Sequence, residues 1–305
     1  MEKITNCPVC SGNKFKPFIS CADHTVSRET FQVVQCEACG FRFTNPRPSE
    51  NEIGKYYESE EYISHSGTSR GVVNKIYGMV RNYTIGQKVK LINKQILSPK
   101  SQIPNALDIG CGTGEFLNAC KQNGWNVTGI EPSEVARKHA KEKFGIEPLI
   151  PEKLFEISEK KFNVITMWHV LEHVHQLHKT IEQINKLLTD DGSLIVAVPN
   201  CNSFDAKKYR EHWAAWDLPR HIYHFTKKDI EKLFLRFGFK LQEVLPMKFD
   251  SYYVSLLSEK YKTGRSNLIA GFFSGLKSNL SVGGEPRLLS GGYSSQIYTL
   301  KKNQP

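Results

Sequence analysis

The feature that most limits the possible fold of this chain is a strand that runs into a glycine-rich loop and then a helix. Residues 106–117 read Ala-Leu-Asp-Ile-Gly-Cys-Gly-Thr-Gly-Glu-Phe-Leu, with a helix pattern beginning at Glu115. Glycines there let the backbone turn sharply and approach a ligand that a Cβ atom would exclude. The pattern therefore predicts an α/β fold with a nucleotide-type ligand at this loop.

Two common nucleotide loops do not match this stretch. A Walker loop ends in Gly-Lys-Ser/Thr, and the stretch contains no lysine. A dinucleotide fingerprint is spaced Gly-x-Gly-x-x-Gly, whereas Gly114 comes one residue too early. Asp108, two residues before Gly110, would repel a phosphate and suits a ligand that carries an ammonium or sulfonium charge.

The stretch resembles motif I of the class I S-adenosylmethionine (SAM)-dependent methyltransferases, where an acid-x-Gly-x-Gly-x-Gly loop cradles the methionine end of SAM. The resemblance extends over about two thirds of the chain and implies a Rossmann-like α/β fold with a seven-stranded sheet. It assigns the following residues to the cofactor loop: Asp108, Gly110, Cys111, Gly112 and Gly114.

Further cofactor contacts follow the next strands. Glu131 ends the predicted strand 125–130 and comes twenty-one residues after Gly110, close to the spacing at which an acid binds ribose hydroxyls. The resemblance implies that Glu131, next to Pro132, binds the ribose of SAM. It also implies adenine contacts from Glu152, Lys153 and Leu154, and methionine contacts from Trp168 and His169.

The chain after residue 100 alternates between strands and helices. Strands are predicted at 104–109, 125–130, 146–150, 162–167, 194–198, 239–245 and 294–300. The nearly all-apolar fifth strand indicates a parallel sheet covered on both faces, and the resemblance implies that the last strand is antiparallel beside the sixth. The predicted units are a ribbon at 1–48, a helical linker or cap at 49–100 and a methyltransferase domain at 101–305, with substrate-side insertions at 201–226 and 248–291.

Two Cys-x-x-Cys pairs precede this domain. Their cysteines are Cys7, Cys10, Cys36 and Cys39. Each pair can place two thiolates on one tight turn, and two such turns complete a tetrahedral Zn²⁺ shell. The pattern resembles a zinc ribbon. A closed Cys₄ set leaves no open position on the metal, so we expect this zinc to be structural.

Composition restricts the partners but does not choose one. The net charge of +10 is spread along 305 residues and favours anionic partners in general. No run approaches the ~18 to 20 apolar residues of a membrane span, and no apolar signal region follows Met1. We expect a cytoplasmic protein, with a peripheral position at a membrane left open, and its oligomeric state is not predicted.

Two clusters carry candidate acceptor-side chemistry. His169-x-x-Glu172-His173 follows the fourth strand, and a few relatives use an acid-rich version of this motif, Glu-x-x-Glu-His, to hold Mg²⁺. Imidazole does not suit Mg²⁺, so capping and helix anchoring are the expected roles here. Residues 211–226, rich in aromatic groups and histidine, resemble a segment of class I enzymes of which many act on saccharide or lipid hydroxyls.

A hydroxyl acceptor needs a base, and a histidine titrates near neutral pH. We expect His221 to be that base, with Asp217 or His224 as its partner. Arg220 is expected to bind an anionic group, and Trp213, Trp216 and Tyr223 to contact the substrate; a lid that packs on the sheet is the alternative role of this segment. Residues 251–280 read as two helices that rest at an interface, cover an apolar pocket or are simply buried.

The sequence thus predicts a SAM-dependent methyltransferase with a structural zinc. Its expected acceptor is a hydroxyl of a saccharide, a glycolipid or a nucleotide-linked precursor. The alternatives are methylation of RNA or a quinone, and a non-catalytic module that binds SAM. RNA is permitted by the positive charge, but no basic stripe interleaved with aromatic residues supports it.

Overall fold

The computed structural model describes residues 1–58, 72–96, 103–159, 161–265, 267–280 and 292–303, and of residues 72–77 the backbone alone. Ten strands in this part of the chain form two sheets. The strands are β1 (Phe15–Ala22), β2 (Thr30–Cys36), β3 (Arg42–Thr44), β4 (Asn105–Ile109), β5 (Asn126–Ile130), β6 (Phe162–Trp168), β7 (Leu188–Pro199), β8 (Tyr223–His224), β9 (Phe239–Pro246) and β10 (Ser295–Lys302).

Eight α-helices lie in the described residues. They are α1 (Val72–Asn93), α2 (Glu115–Gln122), α3 (Glu134–Phe144), α4 (Leu177–Leu187), α5 (Phe204–Tyr209), α6 (Lys227–Leu235), α7 (Asp250–Thr263) and α8 (Leu268–Leu280). Of the predicted helical segment 49–100, a 3-10 helix at Ile53–Tyr57 and α1 are described, while 59–71 and 97–102 lie outside the described residues.

The central sheet has the order β5-β4-β6-β7-β10-β9, in which β4 to β7 are parallel. As expected, β10 is antiparallel, and it lies between β7 and β9. Alternate residues of β7 enter different buried clusters: Leu194 and Val196 pack with α4 and α6, whereas Ile195 packs with α1 and α2. The sheet is therefore covered on both faces.

The predicted third strand, 146–150, is the main departure from the expected seven strands. Leu149 makes only an isolated parallel bridge to Ile130, so the central sheet has six strands in the described residues. Pro148 and Pro151 flank that bridge, and proline cannot donate to a strand ladder. The backbone of Leu149 makes two hydrogen bonds to β5 and its end, one to the Gly129 carbonyl oxygen and one from Glu131 N, in place of a full strand ladder.

The N-terminal ribbon is built into the rest of the molecule. Its sheet has the order β1-β2-β3-β8, and β8 belongs to the segment predicted as the substrate-side insertion 201–226. Val9 and Phe43 of the ribbon pack in one buried cluster with Ile181 of α4 and Phe225. The segment 201–226 therefore joins the ribbon to the core around the central sheet.

Candidate functional site

The carboxyl ends of β4, β5 and β6 meet at one edge of the central sheet, and the glycine loop follows β4 there. Gly110 has φ +75°, and a Cβ atom at this position would lie 2.3 Å from Val170 Cγ2. Gly112 also has positive φ, but an added Cβ would meet open space. The first glycine thus permits close packing, and the second leaves the side of the loop clear where a ligand would lie.

Asp108 lies beneath this loop and is 2% exposed. Its carboxylate accepts a 2.6 Å hydrogen bond from Thr166 Oγ1. Burial raises the pKa of Asp108 to about 7, against the opposing effects of Thr166 and the Lys88 ammonium. A cationic ligand beside this carboxyl would favour its ionised form, so the site suits a ligand with positive charge.

Glu131 is held at the end of β5 by two backbone donors. Its Oε2 accepts from Gly112 N at 2.8 Å, and its Oε1 accepts from Ser133 N at 2.9 Å. Burial raises the pKa of Glu131, which these N–H groups oppose. A carboxylate has about four acceptor positions, so Glu131 is oriented beside the loop with capacity left for hydroxyl donors, while the adjacent Pro132 is exposed.

The segment expected to face adenine forms a 3-10 helix, Pro151–Phe155. The Leu154 side chain is 3% exposed and packs in the core, so its apolar contact with adenine stays a prediction. Glu152 and Lys153 are exposed, and Lys153 pairs with Glu156 at 2.7 Å. An adenine ring bound here could contact the backbone and the exposed side chains of Glu152 and Lys153.

Trp168 and His169 end β6 at the same edge. Trp168 packs edge-to-face on Phe116, and its buried Nε1 has no hydrogen-bond partner among the described residues. His169 Nε2 lies 2.8 Å from Asp250 Oδ2, and His169 Nδ1 lies 3.4 Å from Glu172 Oε1. Burial alone would lower the pKa of His169, but these two carboxylates raise it to about 10. At neutral pH this histidine is therefore a cation.

The buried Asp108 carboxyl beneath the loop fits the end of SAM that bears both an ammonium and a sulfonium charge, and the oriented Glu131 carboxylate fits its ribose hydroxyls. A family model described as a methyltransferase domain matches residues 81–244, more than half of the chain. The chain belongs to the class I SAM-dependent methyltransferases. The matched region begins within α1 and ends within β9, so it contains the glycine loop, Glu131 and His169.

The curated relatives match part of this chain and part of their own length. The ubiquinone biosynthesis O-methyltransferase of Pelagibacter ubique is 37% identical over 164 residues, which are 50% of this chain and 65% of that protein. The enzyme of the same name from Actinobacillus pleuropneumoniae serotype 7 is 39% identical over 106 residues, which are 31% of this chain and 45% of that protein. The chain thus spans between about half and two thirds of the curated relatives it matches.

A solved methyltransferase structure shares the fold. The magnesium protoporphyrin IX methyltransferase from Synechocystis PCC 6803, with bound S-adenosylhomocysteine, aligns with a TM-score of 0.51 and 15% identity. The alignment covers 82% of this chain and 98% of that one. At this identity the likeness concerns the fold alone.

Beyond the carboxyl end of β6, in the region expected to contact the acceptor, Glu172 faces a group of histidines. Glu172 is 1% exposed, and neither of its carboxylate oxygens makes a hydrogen bond to a described residue. Burial raises its pKa, but the neighbouring imidazoles of His169, His221 and His173 outweigh burial and lower it. Glu172 is thus a buried anion whose oxygens have acceptor capacity to spare.

The tautomer of His221, beside Glu172, is set by a backbone carbonyl. His221 Nδ1 lies 2.9 Å from the Ala215 carbonyl oxygen. Because a carbonyl oxygen only accepts, this Nδ1 carries the proton and Nε2 is left as an acceptor when the ring is neutral. His173 Nδ1 lies 3.0 Å from both the Arg220 carbonyl oxygen and the Tyr57 hydroxyl. One ligand atom from each of Glu172, His173 and His221 lies within 4.8 Å of the others.

The expected role of Arg220 in binding an anionic substrate is wrong in this structure. Arg220 is 1% exposed and pairs with Asp217 at 2.7 Å and with the fully buried Asp23 of the ribbon at 2.9 Å. Its Nη1 also donates to the Tyr56 carbonyl oxygen at 2.8 Å. The guanidinium is therefore fully used inside the protein.

The other expected substrate contacts in this segment are also buried, each at 4% exposure or less. Trp213 Nε1 donates to Asp205, Trp216 Nε1 donates to the Arg210 carbonyl, the Tyr223 hydroxyl accepts from Arg47, and His224 Nε2 lies 3.2 Å from Thr44 Oγ1. Burial lowers the pKa of His224 far below its ordinary value. The structure assigns these residues to packing between the ribbon and the core, so His224 is not the partner of a base.

Asp250 is the site residue that sequence reasoning missed. It begins α7, more than eighty residues after His169, and its carboxylate reaches His169 Nε2 only in the folded chain. No local motif surrounds Asp250 in the sequence. The only sequence signal for Asp250 is an acid in the first turn of a predicted helix, and a favourable interaction with the helix dipole explains an acid there equally well.

The four cysteines of the ribbon converge as expected. The Sγ atoms of Cys7 and Cys39 are 3.6 Å apart, as are those of Cys10 and Cys36, and all four lie within 4.8 Å of one another. Zn–S bonds of about 2.3 Å in a tetrahedron place sulfur atoms about 3.8 Å apart. The cluster has the dimensions of a Zn²⁺ site.

Proposed function

We propose that this protein transfers a methyl group from SAM to a hydroxyl of a saccharide, a glycolipid or a nucleotide-linked precursor, with His221 accepting the hydroxyl proton. One observation carries the proposal. His221, with Nε2 left as an acceptor, lies beside the anionic Glu172 at the sheet edge where the cofactor loop lies. An imidazolium formed at His221 would be stabilised by that carboxylate.

Each residue has a distinct part in this scheme. SAM supplies a methyl group activated on sulfonium. Asp108, a buried acid beneath the loop, would hold the cationic end of SAM. Glu131, an acceptor oriented by Gly112 N, would hold the ribose. His169 is already protonated and bound by Asp250, so it positions Glu172 and does not act as a base.

His173 is the alternative base, and its electrostatics argue against it. Burial and the neighbouring His221 lower the pKa of His173 to about 4. Such a weak base gains little from taking a hydroxyl proton at neutral pH. The Asp217 carboxylate lies 3.9 Å from His221 Nε2 and is paired with the Arg220 guanidinium at 2.7 Å.

The test is the variant His221→Ala, assayed with methyl-labelled SAM against saccharide, lipid-linked, quinone and RNA pools. We expect turnover to fall about 10²- to 10⁴-fold, while SAM affinity measured by calorimetry stays that of the unchanged protein. His139→Ala on α3 is the matched control and should retain activity. Full activity of His221→Ala would remove this residue from the mechanism.

A quinone is the second candidate acceptor, favoured by the two relatives named ubiquinone biosynthesis O-methyltransferase. Labelling confined to the quinone pool would select it. Labelling confined to the RNA pool would reject both small-molecule classes. SAM binding without transfer to any pool would indicate a module that binds SAM without catalysis.

Metal binding is a second candidate chemistry for Glu172, His173 and His221, since their ligand atoms lie within 4.8 Å. One carboxylate and two imidazoles suit a transition metal better than Mg²⁺. Metal analysis of the purified protein separates the two chemistries, because the four ribbon cysteines account for about one zinc per chain and a metal at this cluster would be an additional ion. In the proton-transfer scheme, no metal beyond that of the ribbon is found, and Glu172→Ala does not change the metal content.

We also infer that the four ribbon cysteines bind one structural Zn²⁺. The spacing of their sulfur atoms supports this, and the four thiolates leave no open position for catalysis.

A further inference from the structure

Helix α8 turns its large apolar side chains toward solvent and its small residues toward the protein, which is the reverse of an ordinary surface helix. The face against the protein consists of small residues, Gly271, Ser274, Gly275 and Ser278, all buried. The outward face carries Leu268, Ile269, Phe272, Phe273 and Leu280, which are 52–72% exposed. A helix that packs on a water-soluble core normally turns its apolar stripe inward.

Close packing against α7 explains the small residues. A Cβ atom added to Gly271 would lie 2.9 Å from the Leu256 Cα atom, and one added to Gly275 would lie 2.7 Å from the Tyr252 Cα atom. Helices packed through small residues four apart are typical of contacts made in lipid, where large side chains turn outward. The α7–α8 hairpin therefore holds its outward apolar residues in place without burying them.

The exposed residues continue beyond α8. Phe249 and Tyr253 at the start of α7, and Met79 and Tyr83 on α1, are each more than 40% exposed. The rings of Tyr83 and Phe249 lie 5.7 Å apart, and Phe272 stacks on Tyr252 at 5.3 Å. We call the outward residues of α8 together with Phe249, Tyr253, Met79 and Tyr83 the apolar face. A surface of this kind marks a contact site.

The charge of the α7–α8 hairpin indicates which kind of partner the apolar face contacts. The hairpin, residues 250–280, contains four basic residues, Lys260, Lys262, Arg265 and Lys277, and two acids, Asp250 and Glu259. The two acids are paired with other parts of the protein, Asp250 with His169 and Glu259 with Lys208. Lys277 is exposed and follows Phe273 by one helical turn. Basic residues beside outward aromatic and aliphatic side chains match an interface of acyl chains and anionic headgroups.

The apolar face adjoins the site. Asp250 is the first residue of α7 and binds His169 at 2.8 Å, while Phe249 directly before it belongs to the apolar face. A lipid surface in contact with this face would therefore lie beside the acceptor side of the sheet edge. Helix α8 has 13 residues, too few to cross a bilayer, and no described helix qualifies as a membrane span.

We propose that the apolar face docks on an anionic phospholipid surface and that the acceptor is presented from that surface. The second half of this statement rests on the proposed function and narrows its acceptor to one attached to a lipid. The first half stands on the hairpin alone, so the two can fail separately.

Vesicle flotation of the full chain tests the docking. We expect the protein to float with phosphatidylglycerol-containing vesicles, to float less with pure phosphatidylcholine and to be released by salt. The double variant Phe272→Ser/Phe273→Ser should lose about tenfold or more in partitioning. Leu235→Ser on α6 is the control, because Leu235 is 57% exposed outside the hairpin, and it should float like the unchanged protein.

Three outcomes overturn the docking: no flotation with anionic vesicles, equal flotation of the double variant, or a dimer in light scattering that the double variant converts to a monomer. The last would assign the apolar face to a second copy of the chain. SAM affinity is measured in parallel, and its retention shows that the double variant is folded. Flotation without labelling of any acceptor would refute the proposed function and leave the docking intact.

Discussion

Asp108 is a buried acid that lowers the stability of the protein in the absence of a cationic ligand. Its pKa is raised to about 7, so above neutral pH the folded chain must hold a desolvated carboxylate. The unfolded chain ionises the same group near pH 4. The contribution of Asp108 to the free energy of unfolding therefore falls as pH rises from about 4 to about 7 and stays constant above that range.

Replacing Asp108 with asparagine should separate stability from binding. Asp108→Asn removes the buried charge, so we expect a higher free energy of unfolding than in the unchanged protein, with a difference that grows between about pH 4 and 7. SAM binding should weaken, because the cation loses its carboxylate. Urea unfolding at several pH values and calorimetry with SAM measure both. Unchanged SAM affinity would place the cationic end of SAM elsewhere.

Gly110 and Gly112 provide a matched pair at the same loop. Gly110→Ala should destabilise the fold by about 1–3 kcal/mol or more, because its Cβ meets Val170 at 2.3 Å, and Val170→Ala in the same chain should restore part of the loss. Gly112→Ala meets open space but still places an alanine at φ +54°, so it should cost only the roughly 1–2 kcal/mol of that backbone conformation and should also weaken SAM binding. Thermal unfolding and calorimetry distinguish the two. Equal loss of stability in both would contradict these separate roles.

At the scale of elements, the segment 201–226 holds the ribbon on the core. β8 extends the ribbon sheet, and Arg220 joins Asp217 of the same segment to Asp23 of the ribbon. Arg220 overcomes burial to hold the pKa of Asp23 well below its usual range. A depressed carboxyl pKa contributes stability that is present above about pH 4 and is lost as pH falls further.

Arg220→Met should therefore leave two acids without their partner and destabilise the protein by about 3–5 kcal/mol near neutral pH. The loss should shrink as pH falls below about 4, since protonation of Asp23 removes the uncompensated charge. Arg81→Met is the control, because Arg81 is half exposed and its 3.8 Å pair with Glu115 is weak. Urea unfolding followed by tryptophan fluorescence measures both variants, and equal stabilities would show that the buried pair is dispensable.

At the scale of the whole molecule, the ribbon and the methyltransferase core share buried residues. Cys7 and Phe41 of the ribbon lie in one cluster with Leu233 and Phe225. Arg236 of the core also donates to the Val9 carbonyl oxygen in the first cysteine turn, at 2.6 Å. Loss of the ribbon geometry therefore exposes part of the main core.

Removal of zinc should accordingly affect the entire chain. We expect about one zinc per chain by elemental analysis, and a strong chelator should lower the single thermal unfolding temperature while weakening SAM binding indirectly. Added Zn²⁺ should restore both. A separate low-temperature transition, with the SAM-dependent transition unchanged, would show that the ribbon unfolds independently.

The backbone geometry of the glycine loop could be predicted because its determinants are close in sequence, while the contacts of its residues with SAM stay a prediction. Asp108, Gly110 and Gly112 lie within five residues, and positive φ at the glycines is a local backbone requirement. Glu131 is one strand later, and parallel pairing of β4 with β5 brings it to the same edge. The ribbon cysteines likewise follow from the spacing of two short turns.

The acceptor side depended on burial and long-range pairing, which composition and spacing do not encode. Arg220 has the same residue type whether it faces a substrate or Asp23, and only the folded chain places the buried Asp23 beside it. Asp250 reaches His169 from the start of α7, a helix that packs against α5, α8 and the turns at 210–216. The small residues of α8 face α7, which leaves its large residues outward. The sequence by itself determined six strands of the central sheet, the geometry of the glycine loop and the cysteine cluster through local backbone chemistry. Tertiary structure alone decided which polar side chains are satisfied inside the protein and which are left to act, since that is settled by neighbours distant in the chain.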